Sequence, residues 1–156
     1  MRFRTGSAVL AGLTAVAVVV AVAQQPAGQQ QAAAGVMTVY KTPTCGCCKL
    51  WIDHMKAAGF QVRAVDMEDI TEVKQASGVP MRLRTCHTAI VDGYVVEGHV
   101  PADLVKKMLA EKPKVTGIVV PGMPVGSPGM EQGDQKEPYE VLLFDKAGKT
   151  TVYAKR

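Results

Sequence analysis

Val36-Met37-Thr38-Val39-Tyr40-Lys41-Thr42-Pro43-Thr44-Cys45-Gly46-Cys47-Cys48-Lys49 is the stretch on which the fold reading turns. Val36 to Tyr40 is β-branched and aromatic and reads as a strand. Thr42-Pro43-Thr44 breaks it. Three thiols follow within four residues and lead into Lys49 to Ala58, where Trp51, Met55 and Ala58 recur at i, i+4 and i+7, as on one face of a helix. Gly59 suits the residue that ends such a helix. The thiols therefore sit in a strand-to-helix turn. Three sulfurs this close cannot all be paired locally as unstrained disulfides, because a bridge needs particular Cβ separations and torsions. They can converge on a soft metal ion, or work as a redox pair with a spare thiol.

Downstream, Phe60 to Met67 reads as a second strand. Asp69 with Glu72 three residues later predicts a capping box for a short helix through Ser77, carrying Ile70, Val73 and Ala76. Gly78 and Pro80 end it. Thr88 to Val91 and Tyr94 to Glu97 are two strands joined by Asp92-Gly93, a two-residue hairpin signal. Pro101 opens a third helix with an apolar stripe of Leu104, Val105, Met108 and Leu109, ended near Pro113. The order β-α-β-α-β-β-α is that of an α/β, thioredoxin-like fold. Lys114 to Pro138 is rich in proline and glycine, with little periodic structure beyond Thr116 to Val120, and so long a loop is often functional. Glu140 to Phe144 and Thr150 to Ala154 read as a C-terminal β-hairpin.

Upstream, residues 1–23 read as an export signal. Arg2 and Arg4 precede the apolar run Ala8 to Val22, and Ala21-Val22-Ala23 has the small-x-small cleavage pattern. The run is short for a membrane span, which needs about 20 residues; the chain would be membrane-held only if the signal stayed uncleaved. Residues 24–35, rich in Gln and Ala, read as a flexible linker. Residues 36–156 are left as one domain, placed by the signal in an oxidising, periplasmic space. Without Arg2 and Arg4 the 18 basic residues become 16 against 14 acidic ones, a net charge of only +2. The basic residues are scattered and aromatics are few, which argues against a nucleic-acid partner. Small exported domains spread cysteines along the chain as staples. Here they are bunched, so their role is chemical.

Cys45 and Cys48 form a C-x-x-C at a helix start, where amide N–H groups and the helix dipole favour a thiolate. Cys47 is a thiol that a redox pair does not need, and it tilts the reading toward metal. Cys86 and His87 enter the hairpin at the position that, in a thioredoxin-like sheet, approaches the C-x-x-C. That would give up to four sulfurs and one nitrogen. Soft thiolates favour Cu(I) and also bind zinc. His99, at the turn into the third helix, is a further ligand candidate, although a helix-entry or surface role fits it equally. Met123 and Met130 lie in the Pro/Gly loop, and their thioethers suit Cu(I). His54 lies two turns along the first helix and reads as surface or packing; Trp51, Met55 and Met108 read as core.

The chain resembles the CopG-type copper-resistance proteins, a bacterial family long catalogued as a domain of unknown function. The matching residues are Tyr40 through Cys48, Cys86-His87-Thr88-Ala89, Val95 through Pro101, and Gly122-Met123-Pro124 through Gly129-Met130-Glu131. The resemblance implies a periplasmic thioredoxin-like protein that holds copper through Cys45, Cys47, Cys48 and Cys86, with His87 as nitrogen ligand. It also implies a multinuclear copper–thiolate centre, a redox role, and partners among other periplasmic copper-resistance proteins. Two alternatives stay open. One is a metal-independent thiol–disulfide oxidoreductase using Cys45 and Cys48 as its catalytic pair. The other is a structural Cys₃His zinc site.

Overall fold

The computed structural model describes residues 35–156. The expected export signal and all of the linker except Gly35 lie outside the described residues. The first strand, β1, is Met37–Lys41, and the helix after the thiol turn, α1, is Gly46–Ala57. Then come β2 (Val62–Asp66), α2 (Thr71–Ala76), β3 (Thr88–Val91), β4 (Tyr94–Glu97) and α3 (Ala102–Glu111). Three further strands follow: β5 (Gly117–Val119), β6 (Glu140–Phe144) and β7 (Thr150–Lys155). A single 3-10 turn at Met81–Leu83 precedes β3. This is a mixed α/β architecture.

All seven strands join one sheet in the order β2-β1-β3-β4-β5-β6-β7. The Asp92-Gly93 hairpin forms as its sequence predicts: both residues have positive φ, 47° and 80°, which matches the twist of the paired strands. One face of the sheet packs Met37, Val39, Ala89, Val91, Val96 and Ile118 against Trp51, Ile52 and Met55 of α1 and Leu104, Val105 and Met108 of α3. Val79, Leu83, Val95, Val119 and Phe144 form a smaller cluster on the opposite side. Trp51, Met55 and Met108 are fully buried, as their spacing predicts.

Strand direction places the site. β1 ends at Lys41, and β3 runs antiparallel to it with Tyr40 opposite Thr88. β4 returns antiparallel to β3 with Glu97 opposite Thr88, and β5 lies parallel to β4 with Val119 opposite Glu97. The end of β1, the start of β3, the end of β4 and the end of β5 therefore share one edge of the sheet. The cysteine turn, Cys86-His87, His99 and the Pro/Gly loop all emerge there.

One local expectation is corrected. Asp69 does not form a capping box: its Oδ1 accepts the Thr71 amide at 2.7 Å, while Ile70 occupies the cap position with no side-chain bond. The helix turns Lys74 inward and leaves Ala76 exposed. A buried anionic partner, Glu97, overrides the apolar stripe. Within the Pro/Gly stretch, the run Thr116 to Val120 that the sequence sets apart supplies β5. β5 pairs with both β4 and β6, and so joins the C-terminal hairpin to the main sheet.

Candidate metal centre

Cys45 is the N-cap of α1, with extended backbone, and its Sγ accepts the Cys48 amide at 3.3 Å. A sulfur thus does the work usually done by a Ser or Asp oxygen. Cys45 and Cys48 are joined as a disulfide, and Cys47 and Cys86 are free thiols. The Cys47 and Cys45 sulfurs are 3.6 Å apart. The sulfurs of Cys45, Cys47, Cys48 and Cys86 all lie within 4.8 Å of one another. Two bonds of a metal–thiolate kind span about 4.6 Å, so once the disulfide is reduced these sulfurs are close enough to share metal ions.

Cys86 also belongs to a second group, with His87 and His99, whose ligand atoms lie within the same distance of one another. Its Sγ is 3.3 Å from His87 Nδ1 and 3.0 Å from His99 Nε2. His99 Nδ1 lies 2.8 Å from the Pro128 carbonyl oxygen. A carbonyl only accepts, so Nδ1 carries the proton and Nε2 presents its lone pair to the sulfur. That is how a ligating histidine is usually oriented, with its far nitrogen fixed by an outer partner. His99 is fully buried, which a surface or simple helix-entry role would not require.

Trp51 walls the site from the α1 side. Its Nε1 donates to the Val100 carbonyl at 2.9 Å, and its ring lies 4.4 Å, centroid to centroid, from that of His87. The Pro/Gly loop covers it from another side. Gly129, at φ 86°, packs so closely that a Cβ would meet the Cys47 carbonyl oxygen at 2.7 Å and the Trp51 nitrogen at 2.8 Å. Gly129→Ala adds both a strained φ and a clash with helix backbone. It is expected to lower the unfolding free energy by roughly 2–4 kcal/mol, read by urea denaturation. A change below about 0.5 kcal/mol, the size expected of a surface substitution, would mean that the loop moves off freely.

The two loop methionines differ in exposure. Met123 is 51% exposed, and Met130 is half-buried beside Gly129. His54 has a packing role: its Nε2 accepts the Ala102 amide at 3.1 Å and so caps α3 from α1.

Burial pushes the Cys86 thiol up to about 12, with the nearby Cys47 adding to the shift. The metal-free site therefore holds a protonated Cys86, whose S–H can donate to His99. Burial likewise holds His87 well below its ordinary value, helped by His99 and Lys74, and lowers His99. Both imidazoles are neutral in the fold. Below about pH 6.5 the unfolded chain binds protons that the folded chain refuses, so stability falls with pH at up to about 1.4 kcal/mol per unit for each histidine. Above that pH the contribution is complete. Denaturant midpoints measured from pH 7.5 to 5 should show the decline, and His87→Gln should flatten it. An unchanged slope in that variant would remove His87 as a cause.

Sequence reasoning ranked His99 below His87 and missed the buried pair Lys74–Glu97 altogether. A signal for the pair existed: Val95, Val96 and Glu97 follow one another in a strand buried on both faces, so a charge there needs a partner.

A sequence profile described as a protein of unknown function, DUF411, matches residues 83–130, a span that holds Cys86, His87, His99 and the covering loop. No curated protein matches the chain. Two solved structures, of a copper resistance protein CopG in its forms 1 and 2, are each 45% identical to it and cover 78% of it. The alignments span 96% and 97% of those chains, with TM-scores of 0.73 and 0.74. At that identity over nearly the whole of its relatives, the chain belongs to the CopG family of copper-resistance proteins.

Proposed function

We propose that this is an exported, periplasmic protein with a thioredoxin-like core that holds Cu(I) in a multinuclear thiolate centre and exchanges electrons with it. The observation that carries the reading is the convergence of four cysteine sulfurs, with two imidazoles beside the fourth. Kinship to copper-resistance proteins supports copper as the metal, and soft sulfur donors favour Cu(I) over harder ions. The sheet order β2-β1-β3-β4, with a C-x-x-C opening α1, supports the thioredoxin-like assignment.

Each residue then has a task. Cys45, Cys47, Cys48 and Cys86 supply thiolates. His99 supplies an oriented nitrogen and His87 a second one. Trp51 and the loop at Ser127–Met130 restrict water. Cys86 must shed its proton on binding, so loading releases protons and weakens as pH falls. The electron count fits a redox role: joining the Cys45 and Cys48 thiolates as a disulfide would release two electrons, enough to take two Cu(II) ions to Cu(I), the state that the remaining soft donors would hold. Anaerobic titration of the reduced protein with Cu(I) should raise a thiolate-to-copper charge-transfer band and saturate above one ion per chain. Saturation without such a band, or no uptake, overturns the reading.

The formed disulfide favours a second reading, a metal-independent thiol–disulfide oxidoreductase with Cys45 as nucleophile and Cys48 as resolving thiol. That activity would be abolished by Cys45→Ser and indifferent to Cys86→Ala. Loss of activity in Cys86→Ala would count against it.

A further inference from the structure

Away from the sulfurs, on the opposite face of β4, a charged pair is sealed in the protein. Lys74 Nζ lies 2.7 Å from Glu97 Oε1, with side-chain exposures of 7% and 0%. Glu97 Oε1 also accepts the Thr85 amide at 2.6 Å, and its Oε2 accepts the Thr88 hydroxyl at 2.7 Å. Lys74 Nζ donates to the same hydroxyl oxygen at 3.0 Å. One carboxylate thus grips the residue immediately before Cys86 and the residue immediately after His87. The His87 carbonyl is held in turn by the Gly98 amide at 3.2 Å.

Stability does not explain this arrangement. Two charges taken out of water lose hydration that their attraction only partly returns, and an apolar pair of similar volume often serves a core as well or better. What an apolar pair lacks is direction: it cannot fix an amide and a hydroxyl three residues apart. We propose that Lys74 and Glu97 are positioning residues that set the Cys86-His87 segment against the cysteine turn. The inference deepens the copper reading above and rests on it for its purpose. Glu97 acts through the backbone at Thr85 and the side chain of Thr88, and Lys74 acts through Glu97.

The test uses the purified full chain in three forms: wild type, Glu97→Gln and Lys74→Met/Glu97→Met. Glu97→Gln keeps the shape and one acceptor but removes the charge. The double variant removes both charges together and so leaves none uncompensated. In the metal-free protein, amide exchange at Thr85 should rise at least about tenfold in both variants, with β1 amides still protected, and the ring-nitrogen shifts of His87 and His99 should move. With Cu(I) supplied from a competing chelator, affinity should fall about 10- to 100-fold, the range expected for groups that orient metal ligands. In a Cys86→Ala/His87→Ala background, Glu97→Gln should cost no further affinity.

Wild-type exchange and ring shifts in a folded variant would overturn the proposal. So would a full Cu(I) penalty in the background lacking Cys86 and His87. Loss of cooperative unfolding in both variants would overturn it too, because a pair on which the whole core depends is not a device for one segment. If the wild type took up no Cu(I), the copper reading would fail, while exchange and ring shifts would still decide whether the pair holds the segment.

Discussion

Cys47→Ala is expected to reduce the number of Cu(I) ions bound per chain by at least one and to weaken the remainder by more than about 100-fold, since even outer-sphere partners are worth 10- to 100-fold. Cys47 is the residue that separates a metal centre from a redox C-x-x-C. It takes no part in the Cys45–Cys48 disulfide, yet its sulfur lies 3.6 Å from Cys45 and within 4.8 Å of Cys48 and Cys86. A thiol–disulfide enzyme would keep its activity in this variant, because both members of its redox pair remain. Competition with a Cu(I) chelator measures the affinity, and elemental analysis after gel filtration gives the count. Unchanged stoichiometry and affinity would remove the extra thiol from the site and restore the simpler enzyme.

The second large effect is expected from the disulfide itself. With Cys45 and Cys48 joined, the chain offers two thiols, Cys47 and Cys86; with the bond opened it offers four. A disulfide sulfur is a poor ligand compared with a thiolate. The oxidised protein should therefore bind at most about half the soft metal that the reduced protein binds. Ag(I) is the appropriate probe, being soft, closed-shell and not a reductant of the bond. Thiol counting before each titration defines the starting state. Cys45→Ser/Cys48→Ser should show the low capacity whether or not reductant is present. Equal uptake by the oxidised and reduced wild type would mean that the disulfide does not control the centre.

Much of the fold was legible because its signals are local. Asp92-Gly93 announced the hairpin, Trp51 and Met55 announced the buried face of α1, and Gly59 announced its end. The helix α2 forms where its sequence predicts, but its inward face was misread for the opposite reason. Its inward residue is Lys74, and a lysine faces inward only when something across the fold neutralises it; here that is Glu97, 23 residues away. β5 showed only as the short run Thr116 to Val120, because three strand residues inside a proline- and glycine-rich stretch do not reveal their partners. They become a strand by pairing with β4 and β6 on either side.

The site divides in the same way. Cys45, Gly46, Cys47 and Cys48 declared themselves by spacing, and with Cys86-His87 they indicated thiolate metal chemistry; the family resemblance drew also on Val95 through Pro101 and Gly122 through Glu131. Four residues of sequence fix how close those three thiols must be. Sequence could not rank His99 above a surface histidine. Its value as a ligand depends on a proton held by Pro128, 29 residues away, and on Cys86, 13 residues away. Nor could it show that Glu97 grips both sides of Cys86-His87, or that Gly129 lies on the start of α1. These contacts exist only because the sheet brings four chain segments to one edge. The sequence by itself determined which atoms can bind a soft metal; the tertiary structure decided which of them meet, which protons they carry, and what holds them in place.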